Sequence, residues 1–178
     1  MVEPWLRGTL TEFVAVPRQI LHALQLAEED IELWCSALSD SEMEERPFGI
    51  APVGFHLRHI ARSLDRLLTY AEGDQLSPGQ IASLSAELTA VPNIAASLAE
   101  VREGIASASA RVQRIAARSY DEPRFVGRKR LPTTVGGLLV HCAEHTQRHV
   151  GQAVTSAKVV AGMREERIAL NASGNKPG

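Results

Sequence analysis

Cysteine is scarce in this chain: Cys35 and Cys142 lie far apart and outside any CxxC spacing. A secreted scaffold stapled by disulfides needs more, so a reducing compartment is expected. Aromatic residues are few as well, 4% against a hydrophobic share of 44%. The core must then be built from Leu, Ala, Val and Ile, which suits helices packed closely on one another. Neither charge dominates, since 19 basic and 21 acidic residues leave a net charge of -2. No basic patch with interleaved aromatics occurs, which argues against nucleic acid as a partner. No apolar run approaches the roughly 20 residues that cross a bilayer, and the N-terminus lacks the basic start and apolar run of a signal peptide. A cytoplasmic protein with no membrane partner is the expectation. Repeats and convincing strand alternation are also missing.

What is present is helical periodicity. A chain of 178 residues suits one domain, expected over 1–165 with a flexible C-terminal tail over 166–178. The first helix is predicted from about Val16 to Ala37, with Ile20, Leu21, Leu24, Leu26, Ile31 and Leu33 inward and Glu28, Glu29 and Asp30 outward. Ser41-Glu42-Met43-Glu44 has the form of a capping box opening one short turn before Pro47. A second helix is expected from Val53 to Ala71, closing at Glu72-Gly73-Asp74. Residues 74–91 are mixed, with room for a short helix at 78–87. The third helix follows Pro92 and runs to Arg118, with Leu98, Val101, Ile105, Ala108, Val112 and Ile115 as its buried stripe. A loop or short β-like excursion follows from Tyr120 to Pro132. Thr133 or Thr134 then caps a fourth helix from Val135 to Met163. The fold class is all-α: a four-helix bundle, up-and-down or crossover, with a short extra helix and a long connection before the last helix.

The chemistry lies in the histidines. Of six, three form His141-Cys142-Ala143-Glu144-His145-Thr146-Gln147-Arg148-His149. Residues four apart on a helix share nearly one face, drifting about 40° and rising about 6 Å per step. Imidazoles one turn apart can bind one first-row metal ion through neutral ring nitrogens. Because three rungs drift by about 80° in total, they need not converge on one ion. The segment His56-Leu57-Arg58-His59 on the second helix can supply another ligand. Spacing alone leaves open which pair of the ladder chelates, and whether His56 or His59 joins it. A three-histidine site leaves a coordination position for water or substrate, so it can lower the pKa of water or take a substrate thiol as thiolate. A lone histidine such as His22 is read as an ordinary structural residue.

Two other metal patterns fit the sequence less well. His141-x-x-Glu144-His145 matches the H-x-x-E-H pattern of inverted zinc peptidases. That pattern wants an acidic ligand well downstream, and only Glu165 and Glu166, near the end of the same helix, are available. A carboxylate-bridged di-iron bundle needs Glu-x-x-His on two helices, and the sequence has none. Around the ladder, Arg58, Arg62 and Arg66 repeat at four-residue spacing. They read as a solvated cationic edge paired with Asp65 or Glu72, or else as a clamp for an anionic substrate. Glu144 and Gln147 are expected to face solvent or a dimer partner, Cys142 to be a small core residue, and Trp5 and Trp34 are candidates for a pocket mouth.

Gly54-Phe55-His56-Leu57-Arg58-His59-Ile60 and His141-x-x-x-His145-x-x-x-His149-Val150-Gly151-Gln152 resemble the two histidine motifs of the DinB-like (DinB/YfiT-like) superfamily. Order and separation agree over roughly residues 12–163, and the His-x-x-x-His-x-x-Gly-Gln ending is the more specific element. The resemblance implies a four-helix bundle holding one divalent metal ion, usually nickel or zinc with manganese or iron as alternatives, and often a homodimer. It implies His59, His145 and His149 as ligands. His56, His141, Arg62 and Glu144 are then pocket or supporting residues, Glu144 being the only side chain considered as a general base. Phe55 stands where the family often has Trp. Relatives include thiol-dependent S-transferases and a maleylpyruvate isomerase, so a metal-dependent transferase, hydrolase or isomerase acting on a small molecule, with a low-molecular-weight thiol as possible co-substrate, is the leading expectation. The alternative is a non-catalytic, metal-binding or dimerising stress-associated bundle. Fold resemblance alone does not choose among these.

Overall fold

The aliphatic stripes become four long helices in the computed structural model, which describes residues 2–89 and 93–174. The elements are α1 (Ala15–Cys35), α2 (Val53–Glu72), a short α3 (Pro78–Ala86), α4 (Ile94–Ile115) and α5 (Val135–Gly174). A hairpin of β1 (Pro123–Val126) and β2 (Leu131–Thr134) precedes α5, with Phe125 opposite Pro132. One buried aliphatic cluster draws on all four long helices. Every residue of the expected stripe on α4 is buried. On α1 the pattern holds at Ile20, Leu21, Leu24 and Ile31, but Leu33 is 61% exposed because it lies off that stripe.

Several helix ends have a local cause. Gly73 closes α2 in the left-handed region, at φ 101°, which a residue without a Cβ adopts without strain. Ser77 and Gln80 form a reciprocal capping box on α3. Asn93 accepts from the Ala96 amide at the start of α4, whose expected neighbour Pro92 lies outside the described residues. Of the two threonines before α5, Thr134 caps, its Oγ1 accepting from the Gly137 amide at 3.0 Å. The box expected at Ser41 forms two residues earlier: the Ser39 amide and hydroxyl donate to Glu42, whose amide donates back to Ser39 Oγ. Only a 3-10 turn, Glu42–Glu44, follows it.

The expected end of the last helix at Met163 is corrected. Nothing there breaks the helix, so the described residues 166–174, expected as part of a flexible tail, continue α5, exposed as far as residue 173. The rest of that tail, 175–178, lies outside the described residues.

The packing order is set by which helices touch. α2 packs against both α4 and α5, and α1 packs against the same two. Consecutive helices α1 and α2 therefore stand on one diagonal, and α4 and α5 on the other. That crossover arrangement explains the long connections at 36–52 and 116–134, which must pass over an end of the bundle. α4 approaches α2 so closely that a Cβ on Gly104 would stand 2.8 Å from the Ala61 Cβ. Among the described residues no helix is long and apolar enough to cross a membrane.

Candidate metal centre

The adjacency of α2 and α5 brings two sets of histidines face to face. His145 and His149 flank the buried α5 positions Thr146 and Val150, and His59 flanks Ile60 on α2. All three rings are half-buried, at the edge of the core rather than in it. One ligand atom from each of His59, His145 and His149 lies within 4.8 Å of the other two. The Nε2 atoms of His59 and His145 are 2.8 Å apart, and the His59 and His149 ring centres 4.3 Å.

The outward nitrogens are treated unequally. His59 Nδ1 is 2.8 Å from the Glu87 carboxylate, whose other oxygen accepts from Arg66 at 2.5 Å. A carboxylate only accepts, so His59 donates from Nδ1 and turns Nε2 toward the cluster. His149 Nδ1 meets His56 Nδ1 at 3.0 Å, which leaves Nε2 as its free nitrogen. His145 Nδ1 is buried without a partner. Burial, with the neighbouring imidazoles and Arg148, pushes His145 and His149 down to about 4. Burial, then His149 and His59, does the same to His56. At neutral pH these rings are uncharged, the protonation state a metal ion needs. Three converging imidazoles, one of them backed by a carboxylate, fit a divalent first-row cation.

The structure thus brings His59, His145 and His149 together, with His56 directly behind His149. It does not bring every expected residue to the cluster. His141 lies one turn outward at the rim, its Nδ1 3.0 Å from Glu144, with its ring centre 5.3 Å from that of His145. Glu144 is exposed and also accepts from Arg148. The His141–Glu144–His145 peptidase arrangement does not form, and Glu165 and Glu166 are exposed further along α5. Arg62 is away from the site altogether, donating to Glu100 and to the Ser83 carbonyl.

The arginine row is corrected as a group. Asp65 and Glu72, its expected partners, are taken by Arg111. Arg58 is not solvated but 2% exposed, paired with Glu44 at 2.7 Å in a space that Gly54 leaves open. Gln147 donates to the Ala23 carbonyl of α1 rather than facing solvent. Trp5 bonds Glu3 and Trp34 lies beneath Lys158, so neither frames the site. Cys142 is fully buried, and burial lifts its thiol to about 12, which removes it as a ligand or nucleophile. Phe55 instead covers the cluster, stacked on His59 with centres 5.5 Å apart. Beside His56 and Arg148 a cleft of about 490 Å³ opens, walled by Ile50, Ala51, Gly151 and Gln152.

Glu87 and Arg66 escaped the sequence reading as supports of the site. Their signal was faint: His59 and Arg66 lie seven apart on α2, close to one stripe, so one carboxylate can reach both.

A crossover helical bundle with three histidines converging from two helices defines a class, the helical-bundle proteins with a candidate metal site at a helix–helix seam. The family comparison names it: residues 23–153 match the DinB superfamily, and the chain belongs to that superfamily. No curated protein matches the chain. Among solved structures it is similar to YfiT from Bacillus subtilis, described as a probable metal-dependent hydrolase with an unusual four-helix bundle topology. That likeness has 14% identity and a TM-score of 0.62, covering 82% of this chain and 87% of YfiT. At that identity it speaks for the fold.

Proposed function

We propose that this protein is an enzyme using one divalent metal ion, nickel or zinc, held by His59, His145 and His149, to activate water or a thiol against a small electrophilic substrate. The observation that carries the reading is the convergence of the three rings, with His59 Nδ1 held at the Glu87 carboxylate. A bound ion would supply Lewis acidity at the position the three histidines leave open, lowering the pKa of whatever oxygen or sulfur occupies it.

The protein's own groups do the rest. Glu87 and His56 hold the outer nitrogens of two ligands and so fix the planes of their rings. Phe55 excludes water from one side of His59. At the mouth, His141 is held by Glu144 beside His145. Arg148 provides a cation beside the cleft, suited to a substrate carrying a carboxylate.

Metal analysis of protein purified without a histidine tag is the direct test. About one divalent ion per chain is expected, and His145→Ala should lose it. Protein that stays metal-free after soaking in nickel and zinc salts would sink the proposal. With metal present, turnover of small electrophiles with and without added low-molecular-weight thiols separates transferase from hydrolase chemistry. The proposal includes a homodimer, for which light scattering should give twice the 19.3 kDa chain mass.

A further inference from the structure

We infer that Glu87 is a positioning residue for the metal centre, and that through it the connection between α2 and α4 is tied to the occupancy of that centre. The inference rests on the metal reading above and adds a residue and a linkage to it.

The reason begins with burial. Between Glu72 and Thr89 every residue is exposed or half-exposed except Glu87, which is 3% exposed. α3 buries nothing, and Ile81, Leu84 and Leu88 all face outward. No apolar driving force therefore draws this stretch onto the bundle at Glu87. A carboxylate is a side chain seldom buried alone, since its charge loses the solvation of water unless it is paired. The compensation comes wholly from α2. Arg66 bonds Oε1, His59 bonds Oε2, and Arg58 Nε points at the Glu87 carbonyl from 3.4 Å. Arg58 is in turn fixed by Glu44. The other ties of α3 to α2, Gln80 to Asp65 and Thr69 and Arg62 to the Ser83 carbonyl, lie on more exposed groups.

Each carboxylate oxygen thus has one assigned partner. Arg66 aims the Glu87 carboxylate, and that carboxylate accepts from His59 Nδ1. That leaves Nε2 facing His145 and His149. Linkage is reciprocal: an ion that binds better when His59 is held must itself strengthen the docking of residues 78–89.

The test has two arms. In metal-free protein at pH 8, nitrogen NMR of the imidazoles should show His59 as the Nδ1–H tautomer in the wild type and a mixture in Glu87→Ala. In zinc titrations against a chromophoric chelator, Glu87→Ala should weaken binding about 10–100-fold, with Glu87→Asp recovering part of it. Zinc should also slow amide exchange over residues 78–89 in the wild type and not in Glu87→Ala. Wild-type zinc affinity with an unchanged tautomer in the variant would overturn the inference. If the wild type takes up no zinc, the metal reading fails and the linkage with it, while the tautomer arm still decides whether Glu87 sets His59. Should Glu87→Ala fail to fold, Glu87→Gln keeps the shape without the charge, and a wild-type zinc affinity there would equally overturn the role of the carboxylate.

Discussion

Single residues at the α2 seams govern both the site and its pH response. Burial and neighbouring positive charge lower His56, His145 and His149 from 6.5 to about 4. For such groups the unfolded chain binds protons first as pH falls, so the native state is favoured above 6.5 and loses that advantage between 6.5 and about 4. The metal-free protein should therefore melt at progressively lower temperature across that window, and His56→Gln should flatten part of the slope. A flat profile in the wild type would contradict the neutral cluster. Gly104 makes a second residue-scale case. Alanine there gains about 1 kcal/mol of helix propensity, but a Cβ 2.9 Å from the Ala61 backbone cannot be relieved by a rotamer change. Overpacking costs about 1–3 kcal/mol, so Gly104→Ala should lower the urea midpoint. Arg58→Met tests the buried pair differently: it strands Glu44, and a loss of several kcal/mol is expected.

At the scale of elements, much was legible before any coordinates. Aliphatic spacing and the punctuation at Gly73, Pro92 and Thr133 or Thr134 located the helix starts and the end of α2 to within a few residues, because a cap and a stripe are local facts. The ladder His145–His149 was legible for the same reason, since four-residue spacing fixes a shared face. The resemblance, not spacing, selected His59 over His56. What could not be read depends on contacts distant in sequence. Glu87 sits in a polar connection with no motif, and only its burial against His59 and Arg66 marks it. The partners of Arg58 and Arg62 come from other elements, Glu44 and Glu100, so the nearer Asp65 and Glu72 misled. The helix continues past Met163 because helical propensity, not burial, decides an exposed terminal segment. The Thr134 cap offers a clean element-scale test. Thr134→Ala should cost about 1 kcal/mol and Thr133→Ala much less, compared by urea denaturation.

For the whole molecule, ion binding and folding should be one equilibrium. If only the native state gathers the three histidines, zinc at a hundredfold excess over its Kd stabilises by about 2.7 kcal/mol, raising Tm by roughly 5–10 °C for a chain of this size. His149→Ala should abolish that rise while leaving the metal-free Tm near the wild-type value. The crossover order of the helices gives this coupling a temporal side. His59 and His145 are separated by 86 positions, and His56 and His149 by 93. A chain still being synthesised holds His59 long before the ladder exists, so it has no three-imidazole trap with which to seize whichever cation is abundant. On the proposed metal reading, selection among ions would wait until the last helix has docked, when the geometry of a finished seam, rather than the first encounter, decides what stays.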